Sequence, residues 1–537
     1  MLSQPGVSTA HSRFPIDIRR FRWISRLAAD YVHDYPRLRE FFAGNPAEPA
    51  AWRERIARVQ QHPRQRDRIA DVLRAQQHRR EAPPEARAAA DRLRDPQTVA
   101  IVTGQQAGLL GGPLFTLLKA LTALKLAERV RDREGVPAVA IFWVDAEDHD
   151  WDEVRHCGVL DANGSPCSIE LGNPPGAHAG PVANVRLDAS ITDVLAQLES
   201  ALPPTEFTAD LLADVRRIYA PGAGMAEAFG TWLESVLGPK GLVVYDASDP
   251  AAKPLVSDLF VTELLNPART TRLANEAGEQ LQAAGYHAQV EALDGSVALF
   301  RLDGQRVAIE DPQAWAARAR TSPEQFSPNV LLRPLVQDTL FPTVCYVAGP
   351  NELAYLAQLR GVYEAFGIPM PLLQQRATAT LVDANAMRFL TRYDFPLESL
   401  RAQDEAALNE LLESQLPPSV DAAVHAAMRV VDEHMAVVAR EVTQVDTTLE
   451  GTAKSTLSRM QDDLKKLHGK IIQAAKRKDE TLKRQFHHAQ AQAFPNGHPQ
   501  EREIGFISFL NKYGPALIDR LGDELPLDMG QHWVLSI

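Results

Sequence analysis

Cysteine is scarce in this sequence. Three occur in 537 residues, Cys157, Cys167 and Cys345, and none form a Cys-x-x-Cys pair. That excludes a disulfide scaffold and points to a reducing compartment, the cytoplasm. Positive charge is in deficit as well. Lys and Arg number 57 against 69 Asp and Glu, a net charge of −12 at pH 7, so nucleic acid is not expected as the partner. Long apolar runs are missing. The longest uncharged stretch, roughly Gln97 to Leu118, approaches the ~20 residues of a membrane span. Gly-Gln-Gln and Gly-Gly-Pro interrupt it, and a strand, a loop and a helix start are expected instead of a span. The opening MLSQPGVSTAHSRFPIDIRRF has no apolar core, so no signal peptide is expected. There is no internal repeat, no Pro/Ser-rich linker, and no GxSxG or HExxH motif.

What is present has the composition of a globular protein, 45% hydrophobic and 23% charged. The length suits three or four units at about 150 residues each. Residues near 20 to 95 read as helices rich in Ala, Leu and Arg. Then QTVAIVTGQQ reads as a buried strand ending in a turn, FTLLKALTALKLAERVRD as a helix, and VPAVAIFWVDAEDHD as a second buried strand. Strand, helix and strand within about 50 residues make a βαβ unit and imply a parallel sheet. GLVVYDASDP and FPTVCYVAGPNELAYLAQLRGVYEAFG resume that grammar, and IPMPLLQQRATATLVD adds a further strand-like piece. HAQVEALDGSVALFRLDGQRVAIED, with two Asp-Gly pairs, predicts a small antiparallel meander.

Without a linker between the pieces, one Rossmann-like α/β core with insertions is preferred to several independent domains. The expected parts are a helical N-terminal segment (1–95), the first half of the core (96–156) and a first connecting insertion (157–240). A core strand and helix (241–268), a second small α+β insertion (269–325) and the second half of the core (326–395) follow. The last part, 396–537, is expected to be helical. Val438, Val442, Val445, Leu449, Ala453, Thr456, Met460, Leu464, Leu467, Ile471, Ala474 and Lys478 step by fours and threes. This heptad-like seam needs a partner helix, from the same chain, a second subunit or both. FPNGHPQ is expected to stop it.

Three constellations could carry chemistry. In TGQQAGLLGGP a strand turns through glycines toward a helix N-terminus, which suits phosphate or carboxylate. Its spacing fits neither GxGxxG nor GxxxxGK[ST]. Thr103, Gln105 and Gln106 offer neutral hydrogen bonds, Gly111 and Gly112 free backbone, and Lys119 a cation on the following helix. Tight packing of helix on sheet is the alternative. In DAEDHDWDEVRH, a direct turn into helix would put Asp145, His149, Asp152 and His156 on one face. His149 and His156 would then lie roughly 10 Å apart along the axis, too far to grip one zinc ion, and no metal ligands are assigned. A magnesium ion brought by a nucleotide needs only one or two of the carboxylates. His149 among carboxylates is a candidate general base. The alternative is an ordinary acidic helix start. In AGPNELAYLAQL, Gly349-Pro350-Asn351 makes a turn and Glu352 opens a helix, repeating the same strand-end geometry; an ordinary helix start is the alternative.

Taken in order, VTGQQAGLLGGPLFTLLKALTALKLA, FWVDAEDHDWDEVRH, GPNELAYLAQL and PQEREIGFISFLNKYG resemble the bacillithiol synthase family of cysteine ligases. The resemblance covers almost the whole chain. It implies a Rossmann-like core related to class I aminoacyl-tRNA synthetases, two inserted connecting domains, and a C-terminal coiled coil that forms a homodimer. It also implies the substrates cysteine and glucosaminyl-malate, joined by an amide bond. The residues that carry over are Thr103, Gly104, Gln105 and Gln106, then Glu147, Asp148, His149 and Asp150, then Gly349, Pro350 and Glu352. Asn351 stands where a glycine is more usual. Activating the cysteine carboxylate calls for ATP or another nucleotide, with magnesium as its companion. On this reading the Gly104–Gly112 loop holds phosphate or carboxylate. His149, oriented by Asp148 or Asp150, takes the proton of the attacking amine. A metal-dependent hydrolase or transferase acting on a sugar conjugate, or a non-catalytic dimeric binding protein of the same pathway, remains an alternative.

Overall fold

The apolar runs picked out above form the centre of the molecule. The computed structural model describes residues 13–293, 295–415, 418–478 and 480–537. The start of the N-terminal stretch and Asp294 of the first Asp-Gly pair lie outside them. Five strands make one sheet: β1 (Val99–Gln105), β2 (Ala138–Val144), β3 (Leu242–Asp246), β4 (Thr343–Ala348) and β5 (Leu372–Gln375). Their order is β5-β4-β1-β2-β3, and every neighbouring pair is parallel. Successive residues feed two different cores. Val99 and Ile101 pack with Leu117 and Leu121 of helix α1 (Leu114–Glu134). Ala100 and Val102 pack on the other face with Tyr31 and Leu335. A sheet covered on both faces buries every residue, which is why its strands read as unbroken apolar runs. The strand order reverses between β1 and β4. In such sheets ligands bind at the carboxyl ends of the strands flanking that point.

The first excursion from the sheet holds a hairpin (His156–Leu160 with Pro166–Glu170) and helices Ser190–Ala201, Thr208–Ile218 and Met225–Leu237. The second holds helix Arg269–Ala283 and an antiparallel pair, Leu299–Asp303 with Gln305–Ala308, turning at Gly304 in the left-handed region (φ 69°). Phe326–Pro328 joins Leu299–Asp303 as a third strand, and the second Asp-Gly pair turns the meander.

The acidic segment after β2 does not wind into one helix. Val182 N–H donates to the Asp148 carbonyl (2.7 Å) and Ala183 N–H to the Ala146 carbonyl (2.9 Å). These bonds hold the segment as a turn at Ala146–Glu147 followed by irregular loop. A single turn, Trp151–Val154, follows, and His156 already begins a strand. Asp145, His149, Asp152 and His156 therefore share no helix face.

The chain from Pro499 to Leu535 packs with the sheet-bearing unit. Its last strand pairs antiparallel with Arg13–Asp17, Ile16 opposite His532. His532 is buried, with its ring nitrogens 2.8 Å from Thr380 Oγ1 and 3.1 Å from Thr378 Oγ1. Burial lowers its pKa from 6.5 to about 4. Above pH 6.5 the imidazole is neutral in both folded and unfolded chains. Below that the unfolded chain takes up the proton first, so stability falls between pH 6.5 and 4, by up to about 3 kcal/mol. Urea midpoints measured across this window should drop less in His532→Gln than in the unaltered protein. An equal drop would show that His532 does not contribute.

The second unit, Val382–His498, begins ahead of residue 396, and its end leaves 499–535 to the first unit. Asp383 caps helix Ala384–Arg392, accepting from Asn385 and Ala386 N–H. It also pairs with His488 and Gln492, each at 2.8 Å. Burial raises its carboxyl pKa, but these bonds outweigh that and hold it well below the usual range. Phe486 packs edge-on against Phe389 and Phe395, which are themselves tilted by 43°, beside the same cap. Helix α2 (Glu352–Leu356) belongs to the first unit. In the second unit follow α3 (Ala406–Ser414), α4 (Pro418–Glu441), α5 (Leu449–Lys478) and α6 (Glu480–Ala493). The heptad-like seam is not one helix. It breaks at Val442–Gln444, and α5 folds back on α4, with Gln461 Nε2 donating to the Met428 carbonyl (3.2 Å) and Asp432 Oδ1 (2.8 Å). Asp446, accepting from Thr448 N–H and Oγ1, shapes the bend. The seam does stop before Phe494-Pro495. Among the described residues no helix is long and apolar enough to cross a membrane.

Candidate active site

Where β1 and β4 end, a cleft of about 480 Å³ opens. Gly104, Gln105 and Gln106 reach it from the end of β1, and Gly349, Pro350, Asn351 and Glu352 from the turn after β4. Gly104 has a steric reason to be glycine, because a Cβ there would sit 2.8 Å from the Trp143 carbonyl oxygen on β2. Tyr346, Arg333, Arg376 and Arg502 also line the cleft.

Lys119 is the buried hub. Its ammonium has three donors, and all three are used. They point to the Gly104 carbonyl (2.8 Å), Gln105 Oε1 (3.0 Å) and Glu352 Oε2 (2.7 Å). Glu352 also accepts from Gly349 N–H (2.6 Å) and the Tyr346 hydroxyl (2.8 Å). Burial pushes the Glu352 carboxyl up, but Lys119 and these donors outweigh it and hold it below its ordinary value. Burial lowers the Lys119 ammonium, with Glu352 opposing. Lys119 thus fixes the two motif loops and has no donor left for a phosphate.

A second hub sits at the end of β2. Gln106 Nε2 donates to Asp148 Oδ2 and Glu153 Oε2, both at 2.6 Å. Both carboxylates line the cleft. Asp145 lies 3.6 Å from Arg333, and burial raises its carboxyl while Arg333 pulls it down. Arg333 also donates to the Tyr355 hydroxyl (2.9 Å). Arg376 is held in a two-pronged, buried pair with Glu501 (2.8 and 2.7 Å), a geometry that fixes the guanidinium in place. Arg376 and Arg502 both lie over the Phe115 ring, at 5.5 and 5.9 Å. The exposed Arg502 is the cation reaching furthest toward solvent.

Of the residues expected from sequence, the cleft brings together Gly104, Gln105, Gln106, Lys119, Asp148, Gly349 and Glu352. Others stand apart. The Thr103 hydroxyl is buried and donates to the Val347 carbonyl (3.0 Å), tying β1 to β4. Glu147 is buried against Lys253 and accepts from Ser327 (3.1 Å). Asp150 caps the short turn Trp151–Val154, accepting from Glu153 N–H. His149 is 71% exposed and is not among the residues lining the cleft, its Nδ1 3.5 Å from Asp148 Oδ1. Gly111 and Gly112 hold no open backbone for a phosphate. A Cβ on Gly111, at φ 95°, would lie 2.4 Å from the Phe506 ring. The first free amide of α1, on Leu114, is taken by the Ile504 carbonyl (2.8 Å). Those glycines serve close packing.

Sequence reasoning missed Arg333, Arg376, Glu501 and Arg502. One signal was available, because Arg376 directly follows the strand-like β5, the position where parallel sheets present ligand-binding groups.

Two family models match the chain. Residues 15–377 match the one described as Bacillithiol biosynthesis BshC, N-terminal Rossmann-like domain. Residues 379–537 match Bacillithiol biosynthesis BshC, C-terminal coiled-coil domain. A protein of Salinibacter ruber is 34% identical over 100% of both chains. One from Koribacter versatilis is 34% identical over 93% of this chain and 95% of its own. One from Symbiobacterium thermophilum is 32% identical over 81% and 83%. All three carry the name "Putative cysteine ligase BshC".

Proposed function

Because the chain belongs to the BshC family of bacillithiol biosynthesis, we propose that it is a ligase joining the carboxyl of cysteine to the amine of glucosaminyl-malate. The observation that carries this reading is the cleft at the reversal of strand order, where cations and carboxylates converge on one polar pocket. Malate and cysteine both bear carboxylates, and a guanidinium suits them. Arg333 and Arg502 are assigned to that contact, because Arg376 and Lys119 are already committed to Glu501 and Glu352.

Amide formation expels the carboxyl oxygen, and hydroxide is a poor leaving group. A nucleoside triphosphate supplies the activation. The chemistry of the donor set fits it, with Asp148 and Glu153 placed to hold an accompanying magnesium ion. His149, oriented by Asp148, takes the proton released by the attacking amine. Kinship of the core with class I aminoacyl-tRNA synthetases, and a cytoplasmic setting, belong to the same proposal.

The test is direct. Purified protein with cysteine, ATP and glucosaminyl-malate should yield the amide, with ATP consumed in step. Turnover without ATP that chelator abolishes would instead indicate a metal-dependent transferase. Absence of any turnover would leave a binding protein.

The helical unit is proposed to pair with a second copy. Val430, Val437, Val438, Met460 and Leu467 are all at least 40% exposed on the two long helices, more apolar surface than a solvated hairpin favours. Light scattering should give the mass of a dimer, and Val438→Glu with Leu467→Glu should give that of a monomer. An unchanged mass in the double variant would sink this assignment.

A further inference from the structure

Three helices of the second unit converge on a set of side chains unconnected with the cleft. Glu413 closes α3, Asp421 lies in the first turn of α4, and His468 lies on α5. Their ligand-type atoms all fall within 4.8 Å of one another. His468 Nε2 is 3.4 Å from Glu413 Oε1 and 3.4 Å from Asp421 Oδ1. The His468 side chain is only 16% exposed. Both His468 Nε2 and Asp421 Oδ1 are buried atoms without a hydrogen-bond partner. His425, one turn beyond Asp421 on α4, brings a further imidazole. Its Nε2 is 3.4 Å from the same Asp421 oxygen, and its ring is 5.8 Å from that of His468.

The distances discriminate between two explanations. A protonated histidine bridging two carboxylates would close to about 2.7–2.9 Å, the range of a charge-assisted hydrogen bond. These contacts stop at 3.4 Å, with the buried atoms facing each other and unsatisfied. For bonds of about 2.0–2.1 Å, the edge of a tetrahedron around a zinc ion is about 3.3–3.5 Å. The spacing matches ligands around a shared ion. The donor set agrees, since imidazole nitrogen and carboxylate oxygen suit zinc-class ions and two carboxylates balance a divalent charge.

We propose that Glu413, Asp421 and His468, with His425 as a fourth donor, bind a zinc-class divalent ion that ties α3, α4 and α5 together. The role is structural. Ligands on three separate elements come together only in the folded unit, so binding the ion favours that fold. Nothing in this proposal depends on the ligase reading.

The experiment uses the full-length protein, stripped with chelator and titrated with cobalt(II) chloride. The expected result is the visible absorption of tetrahedral cobalt, saturating at one ion per chain and displaced by zinc chloride. Zinc should also raise the thermal midpoint. His468→Gln and Asp421→Asn should each lose the band and the shift. His434→Gln, an exposed site on α4, should keep both. Circular dichroism certifies that each variant is helical, and the near-isosteric Asp421→Asn carries the test if His468→Gln does not fold. Absence of a tetrahedral band in the unaltered protein, or a band that persists in a folded Asp421→Asn variant, overturns the proposal.

Discussion

Replacing Lys119 with methionine should destabilise the protein by about 3–5 kcal/mol, the cost of leaving one member of a buried ion pair alone. Glu352 would keep its place beside Gly349 N–H and Tyr346 but lose its counter-charge. The loss should reach function too. Lys119 holds both Gly104 and Gln105, so its removal frees the end of β1 that lines the cleft. The double variant Lys119→Met with Glu352→Gln should recover most of the stability, because no buried charge is then stranded, yet little of the activity. Chemical denaturation checks the first point and product formation the second. A single-variant loss below about 1 kcal/mol, the level of an exposed pair, would show that the lysine is not a buried hub.

His149→Ala should behave in the opposite way. At 71% exposure its truncation should change stability by no more than about 0.5 kcal/mol. As the base that takes the amine proton, it should slow ligation by about 10²–10⁴-fold. Asp148→Asn should share much of that loss, because Asp148 both lies 3.5 Å from the imidazole and holds Gln106. A normal rate in His149→Ala would remove it from the chemistry and leave Asp148 and Glu153 as the groups to examine.

These contrasts trace back to what a sequence can display. The sheet was legible because β1, β2 and β4 are unbroken apolar runs, and burial on both faces is a one-dimensional signal. The loop ends Gly104–Gln106 and Gly349–Glu352 were legible because each sits where such a run stops. Partnerships were not. Nothing near Lys119 announces Glu352, and nothing near Arg376 announces Glu501, because each pairing depends on how distant segments meet. Local patterns also misled where tertiary bonds override them. The DAEDHDWDEVRH segment has helical spacing, but its first half is a turn and loop bonded to Val182 and Ala183. The heptad-like steps run straight through a bend at Val442–Gln444. The glycines at 111 and 112 suggested an anion loop, whereas the Phe506 ring claims the space beside Gly111.

The return of residues 499–535 to the sheet-bearing unit has a consequence for how the chain matures on the ribosome. Arg376 and Glu501 are 125 residues apart in sequence. At about 5–20 residues per second of synthesis, roughly 6–25 s pass between their emergence. During that interval the nascent sheet carries an arginine without its carboxylate and an N-terminal strand without its partner. Residues 499–535 supply Glu501, Arg502 and the closing strand. Completion of the cleft therefore waits for residues 499–535, and chains terminated before Pro499 should be unable to bind substrate.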